Sequence, residues 1–126
     1  MFDQMPDNQK QFVIQQHSRG EDIHWDLMLE QNGSLRTFRL DTPPGELLTR
    51  PARAVKIADH RLKFLTYQGP VNKGTGNVRI VESGTYIASN TSDERIELNI
   101  DGSILKGNFT LTHVENDRWK FAAAKD

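Results

Sequence analysis

The sequence contains no cysteine. Disulfide cross-links, thiolate metal sites and a cysteine nucleophile are therefore excluded together, and the composition fits a reducing compartment. Charge of one sign is also lacking. Sixteen basic residues stand against 17 acidic ones, a formal net charge of −1, so no global field gathers a polyanion and any nucleic-acid contact must come from a local patch. Nowhere does an apolar run approach the ~20 residues of a membrane span. The opening Met1-Phe2-Asp3-Gln4-Met5-Pro6 has neither the basic start nor the apolar core of a signal peptide. A soluble, cytoplasmic protein without a membrane partner is expected. Internal repeats and low-complexity segments are absent, and 126 residues suffice for one domain with a modest core.

What the chain does have is many short β-type runs separated by turn signals. Residues 1–9 are polar, include Pro6, and read as a loose N-terminal arm ahead of a domain over 10–126. Phe12-Val13-Ile14 is rich in β-formers, and His24 to Gln31 alternates. Asn32-Gly33 suits a two-residue type I′ turn, with Leu35 to Leu40 returning. Asp41-Thr42-Pro43-Pro44-Gly45 must be a loop, since two prolines cannot sit inside a ladder. Further strands are expected at Ala52–Ala58, Val78–Val81, Gly84–Ala88, Arg95–Ile100, Asn108–Val114 and Arg118–Ala122. Asp101-Gly102 marks a tight hairpin and Glu115-Asn116-Asp117 a turn. Leu47-Leu48 and Leu62–Tyr67 can each hold a helical turn. Gly74 and Gly76 lack the lysine-serine/threonine ending of a phosphate loop and read as a flexible turn. The expected class is all-β, an antiparallel barrel or sandwich with one or two short helical turns.

Chemistry concentrates around His24-Trp25-Asp26. On a strand, His24 and Asp26 share one face while Trp25, Leu27 and Leu29 share the other. Cα atoms two apart on a strand lie about 6.5–7 Å from each other, close enough for an imidazole and a carboxylate to converge on one ion. With His17 added, two histidines and a carboxylate hold a divalent cation and leave positions open for water and a substrate oxygen. The competing reading is a set of polar surface residues beside an apolar strand face, and spacing alone leaves both open. His60 is readable as a further ligand, as an acid or phosphate donor with a pKa near the working pH, or as an ordinary surface histidine. His24, Asp26 and His60 also fit the two-histidine, one-carboxylate pattern of iron oxygenases. His113 is assigned to structure. Arg50, Arg53, Lys56, Arg61 and Lys63 form a local basic excess that either cradles a phosphate or is simply solvated.

The order and spacing of these pieces resemble the 3′-phosphoesterase domain of bacterial and archaeal DNA ligase D, over about Phe12 to Ala122. Phe12-Val13-Ile14-Gln15-Gln16-His17 resembles the family's valine-glutamine-lysine-histidine strand. His24-Trp25-Asp26-Leu27, then Leu29-Glu30 and Gly33-Ser34-Leu35, resembles its histidine-tyrosine-aspartate hairpin. Ala54-Val55 through Asp59-His60, Tyr67-Gln68-Gly69, Gly84-Thr85-Tyr86 and Leu105-Lys106-Gly107 with Phe109 and Leu111 follow in the family's order. The resemblance implies an eight-stranded β-barrel with a Mn²⁺-dependent site near its open end, another divalent metal being an alternative. It implies removal of a 3′-terminal ribonucleoside and then of the 3′-phosphate from DNA ends or RNA-tipped DNA ends. By position, His17, His24 and Asp26 correspond to the metal ligands, Gln15 to a glutamine beside them, and His60 to a histidine on the scissile phosphate. Arg53, Arg50 and Lys63 are the basic residues expected to help bind substrate. A monomer working beside a separate ligase or polymerase is expected.

The chain also departs from the family pattern. Met28 stands where the family has an arginine two residues after the aspartate, and Phe64 replaces a tyrosine. Thr42 lies near the family's lysine in the proline-glycine loop, and Ala58 near a glutamate. Ala52, with Arg53 beside it, occupies the place of a second arginine. His17 and His24 are one residue further apart than is usual, which a loop through Ser18–Asp22 would absorb. Losing phosphate-binding charge implies an activity that is reduced, restricted to one of the two steps, or redirected to another phosphoester. The alternative is a non-catalytic module that binds nucleic-acid ends or a repair partner.

Overall fold

The computed structural model describes residues 9–89 and 91–124. The expected N-terminal arm lies outside them, save Gln9, which opens the first strand. The strands are β1 (Gln9–Arg19), β2 (Asp22–Gln31), β3 (Ser34–Leu40), β4 (Ala52–His60), β5 (Gly69–Val71), β6 (Gly76–Ser89), β7 (Arg95–Gly102), β8 (Lys106–Glu115) and β9 (Arg118–Ala123). Single 3₁₀ turns at Pro44–Glu46, Leu62–Leu65 and Asn72–Gly74 interrupt them. Hydrogen bonding runs β1-β2-β3-β4-β9-β8-β7-β6, and a β1–β6 pairing closes the ring. The result is an eight-stranded antiparallel barrel, with β5 added outside on β6. Closure leaves these eight strands without a free edge along the paired segments.

Alternation along the strands divides the apolar residues into two groups. Phe12, Ile14, Leu27, Leu29, Phe38, Leu40, Leu98, Phe109, Leu111 and Phe121 are buried together as the main core. Val13, Met28 and Leu35, of opposite parity, form a second small cluster with Phe64, Leu65 and Ile80. The Leu62–Leu65 turn thus lies over the outer face of β1–β2–β3, where burying an aliphatic side chain contributes about 1.5–3 kcal/mol. No helix among the described residues is long and apolar enough to cross a membrane.

Several local expectations need correction. Asn32 and Gly33 do form the β2–β3 turn, both with positive φ (52° and 82°), and Gln31 faces Ser34 across it. Asp101-Gly102, by contrast, is the end of β7. Asp101 pairs with Lys106, and the chain reverses through Ser103-Ile104-Leu105. Glu82 explains the displacement. Its buried carboxylate accepts hydrogen bonds from the backbone N–H groups of Ser103 (3.1 Å), Ile104 (2.7 Å) and Leu105 (2.7 Å), so the loop wraps around an internal anion. The runs expected separately at Val78–Val81 and Gly84–Ala88 are one strand, β6. It bends at a register shift between the Gln15–Ile80 and Ile14–Glu82 pairs. Finally, Ser18–Asp22 is not an open loop. Ser18 pairs with Ile23 and Arg19 with Asp22, leaving Gly20-Glu21 as the turn.

Candidate functional site

The tight β1–β2 hairpin creates the site. Its register sets His17 opposite His24 and Gln15 opposite Asp26. All four have the parity of Val13 and Met28, so they project from the outer face of the sheet, away from the main core. The site therefore sits on the barrel's outside, flanked by the Leu62–Leu65 turn, rather than in an open end. A cleft of about 210 Å³ is lined by Gln15, His17, Asp26, Arg39, His60, Phe64, Val71, Asn72 and Val78.

His17 and Asp26 line it, and with the neighbouring His24 each offers a ligand atom, all within 4.8 Å of one another. His17 Nδ1 and His24 Nε2 are 2.7 Å apart, and His24 Nε2 is 3.8 Å from Asp26 Oδ2. Two donors held by one cation at about 2.0–2.2 Å cannot be more than about 4.4 Å apart, and both measured spacings satisfy that limit. Burial holds both imidazoles below their ordinary 6.5. The Asp26 charge opposes that effect and the Arg39 guanidinium reinforces it. Neutral imidazoles present lone pairs, the state a metal requires. His17 Nε2 is buried without a hydrogen-bond partner. Only glycine fits beside it, since a Cβ at Gly76 would stand 2.8 Å away. Two neutral imidazoles and one carboxylate at this spacing fit a divalent cation.

Gln15 ties the site to its cover. Its Nε2 donates to the carbonyls of Phe64 and Tyr67, both at 2.9 Å, and its Oε1 is left buried without a partner. His60 comes from the end of β4, opposite Leu35. Its Nδ1 lies 3.2 Å from the Ala58 carbonyl and 3.0 Å from Thr37 Oγ1, whose hydroxyl donates to Leu35. A carbonyl can only accept, so Nδ1 carries the proton, and Nε2, on the far edge of the ring, is the free nitrogen. Phe64 meets His60 edge-on at 5.5 Å and offers no hydroxyl.

The expected basic residues are scattered. Arg50 pairs with Glu46 at 2.9 Å and lines a different groove with Leu47, Leu48 and Lys120. Arg53 is exposed on β4, pairs in register with Lys120, and lines a third groove with Arg118 and Trp119. Lys63 stays close, its Nζ 5.3 Å from the Phe64 ring centre. The cation in the cleft is one sequence reasoning missed: Arg39, whose Nε donates to Asp26 Oδ1 at 3.1 Å. The signal was present. Asp26 lies six residues before Asn32 and Arg39 six after Gly33, so a two-residue turn sets them opposite each other. The tight trio is His17, His24 and Asp26, not the His24–Asp26–His60 grouping.

The chain is similar to known proteins over most of its length. The family model for the DNA ligase D 3′-phosphoesterase domain matches residues 15–113. The multifunctional non-homologous end joining protein LigD of Mycobacterium bovis is 29% identical over 115 residues, 86% of this chain and 15% of that protein. The LigD proteins of Mycolicibacterium smegmatis (28%, 94% of this chain, 17% of that protein) and Pseudomonas aeruginosa (25%, 91% and 15%) are similar to it as well. The chain thus spans about one sixth of these relatives' length. Its matched segment holds the hairpin with the histidine–histidine–aspartate cluster, the His60 strand and the Glu82-wrapped loop, and the chain belongs to the DNA ligase D 3′-phosphoesterase domain family.

Proposed function

We propose that this chain is a divalent-metal phosphoesterase that heals nucleic-acid 3′ ends, removing a 3′-ribonucleoside, a 3′-phosphate or both. The observation that carries the reading is the convergence of His17 Nδ1, His24 Nε2 and the Asp26 carboxylate beside a cleft that His17 and Asp26 line together with His60 and Arg39. The three ligands would hold Mn²⁺ or a similar ion. When bound, such an ion supplies Lewis-acid stabilisation for phosphate oxygens and makes an attacking water more acidic. The protein's own groups do the rest. Gln15 fixes the cover through its Nε2, while its buried Oε1 has no protein partner. His60, whose Nδ1–H donates to the Ala58 carbonyl, acts through its other nitrogen: as the imidazolium it donates Nε2–H to a phosphate oxygen or passes that proton to the departing oxygen. Phe64 shields that imidazole and contributes no proton.

The direct test is incubation with Mn²⁺ and a primer-template carrying a single 3′-ribonucleotide or a 3′-phosphate. Trimming is expected from the wild type and not from His24→Ala. Absence of product at high enzyme concentration removes the proposal. A second reading rests on Met28, buried where the family has an arginine, and on Phe64: a module that binds ends without turning them over. It predicts end-dependent, salt-sensitive binding without product.

A further inference from the structure

We infer that Arg39 is the phosphate anchor of this cleft, reaching it from β3 across the hairpin and serving where position 28, on β2, has no cation to offer. The inference rests on the phosphoesterase reading for the identity of the ligand, and on the following geometry for the residue.

Met28 is 1% exposed and locked under Phe64 and Leu65 in the outer apolar cluster, so β2 contributes no positive charge beyond Asp26. Among the residues lining the cleft, Arg39 is the only arginine or lysine. Its place is fixed by register, directly opposite Asp26. The contact between them is one-sided: Nε donates to Asp26 Oδ1, while the side chain stays 40% exposed against 4% for the aspartate. Among the described residues, no protein group accepts a hydrogen bond from the two terminal nitrogens of Arg39. A guanidinium held by Nε alone presents its remaining N–H groups as a fork, the shape that matches two phosphate oxygens. His60 lines the same cleft with Nδ1 engaged by the Ala58 carbonyl, so as the imidazolium its Nε2–H gives an anion there a second donor, from β4.

The Asp26 bond also explains how the arginine is kept ready. The hydrogen bond removes much of the side chain's rotamer freedom before a ligand arrives, which lowers the cost of ordering it on binding. The buried carboxylate in turn keeps a partner on Oδ1 and leaves Oδ2 beside His24. Arg53 and Arg50, which the sequence suggested for phosphate contact, line other grooves and serve as controls.

The experiment measures binding of the full chain, in EDTA so that no turnover occurs, to two primer-templates that differ only in a 3′-phosphate or a 3′-hydroxyl. The wild type is expected to prefer the phosphate end by about tenfold, the scale of one charge-assisted contact. Arg39→Ala should abolish that preference and lower the salt slope for the phosphate end by about one. Arg39→Lys should recover part of the preference, as a folded protein with a restored point charge must. Arg53→Ala should weaken both ends equally. Arg39→Ala binding that still discriminates like the wild type overturns the inference, as does a wild type that does not discriminate. A protein that discriminates through Arg39 but never turns over leaves the inference standing while removing the enzymatic reading.

Discussion

Replacing Gly76 by alanine should disable the site without touching a ligand. The new Cβ would lie 2.8 Å from His17 Nε2 and 3.2 Å from Val71 Cγ2, where ordinary contact begins at 3.4 Å. Relieving the first overlap requires the imidazole to retreat by about 0.6 Å, and overpacking of this kind typically costs ~1–3 kcal/mol. The ring has little room, because His24 lies across it at 2.7 Å from Nδ1 with ring centres 4.6 Å apart. The shift is therefore passed to the atom that would bind metal. Ligand positions tolerate about ±0.2 Å, so Mn²⁺ affinity should fall by at least tenfold, as it does when groups supporting a ligand are removed. Titration calorimetry with Mn²⁺, beside a thermal melt of the metal-free protein, reads both effects. Unchanged Mn²⁺ affinity in a variant that still folds would refute the idea that Gly76 sets the His17 ring.

Glu82→Gln should destabilise the barrel by about 2–5 kcal/mol, because an amide can no longer accept on both sides from the Ser103, Ile104 and Leu105 N–H groups; urea unfolding measures this, and a loss below about 0.5 kcal/mol would contradict it. Stability should fall with acid as well. Burial lowers the His17 and His24 pKa values in the folded state, so below 6.5 the unfolded chain binds more protons, and stability rises with pH through that window and is lost as pH drops. Melts between pH 5 and pH 8 check the sign, and replacing both histidines by glutamine should flatten the profile. Phe64→Tyr should raise turnover on a 3′-phosphate end relative to a 3′-ribonucleotide end by restoring a hydroxyl beside His60; an unchanged ratio in steady-state assays would count against that role.

The sequence revealed what period-two patterning and strong turn dipeptides encode. Asn32-Gly33 fixed the β2–β3 register, and the alternation around Trp25 separated the core face from the ligand face. Gly20-Glu21 was harder to see, because that dipeptide carries a weaker hairpin signal than Asn-Gly; only pairing shows that His17 and His24 are direct neighbours. Asp101-Gly102 misled for a long-range reason, since the turn position is set by Glu82, some twenty residues earlier. The basic run from Arg50 to Lys63 looked like one patch because it is continuous in sequence. Strand alternation and the 3₁₀ turns disperse it, and Arg50 and Lys56 find carboxylates in Glu46 and Asp59. Arg39 is legible only through the two-residue turn, because its partner sits across a ladder and not nearby along the chain.

The most direct test of the central claim is anomalous scattering from crystals of the wild-type protein grown or soaked with Mn²⁺. The account predicts one strong peak bounded by His17 Nδ1, His24 Nε2 and the Asp26 carboxylate, with Arg39 and His60 across the cleft from it. No peak there, or manganese bound only elsewhere on the barrel, would contradict it.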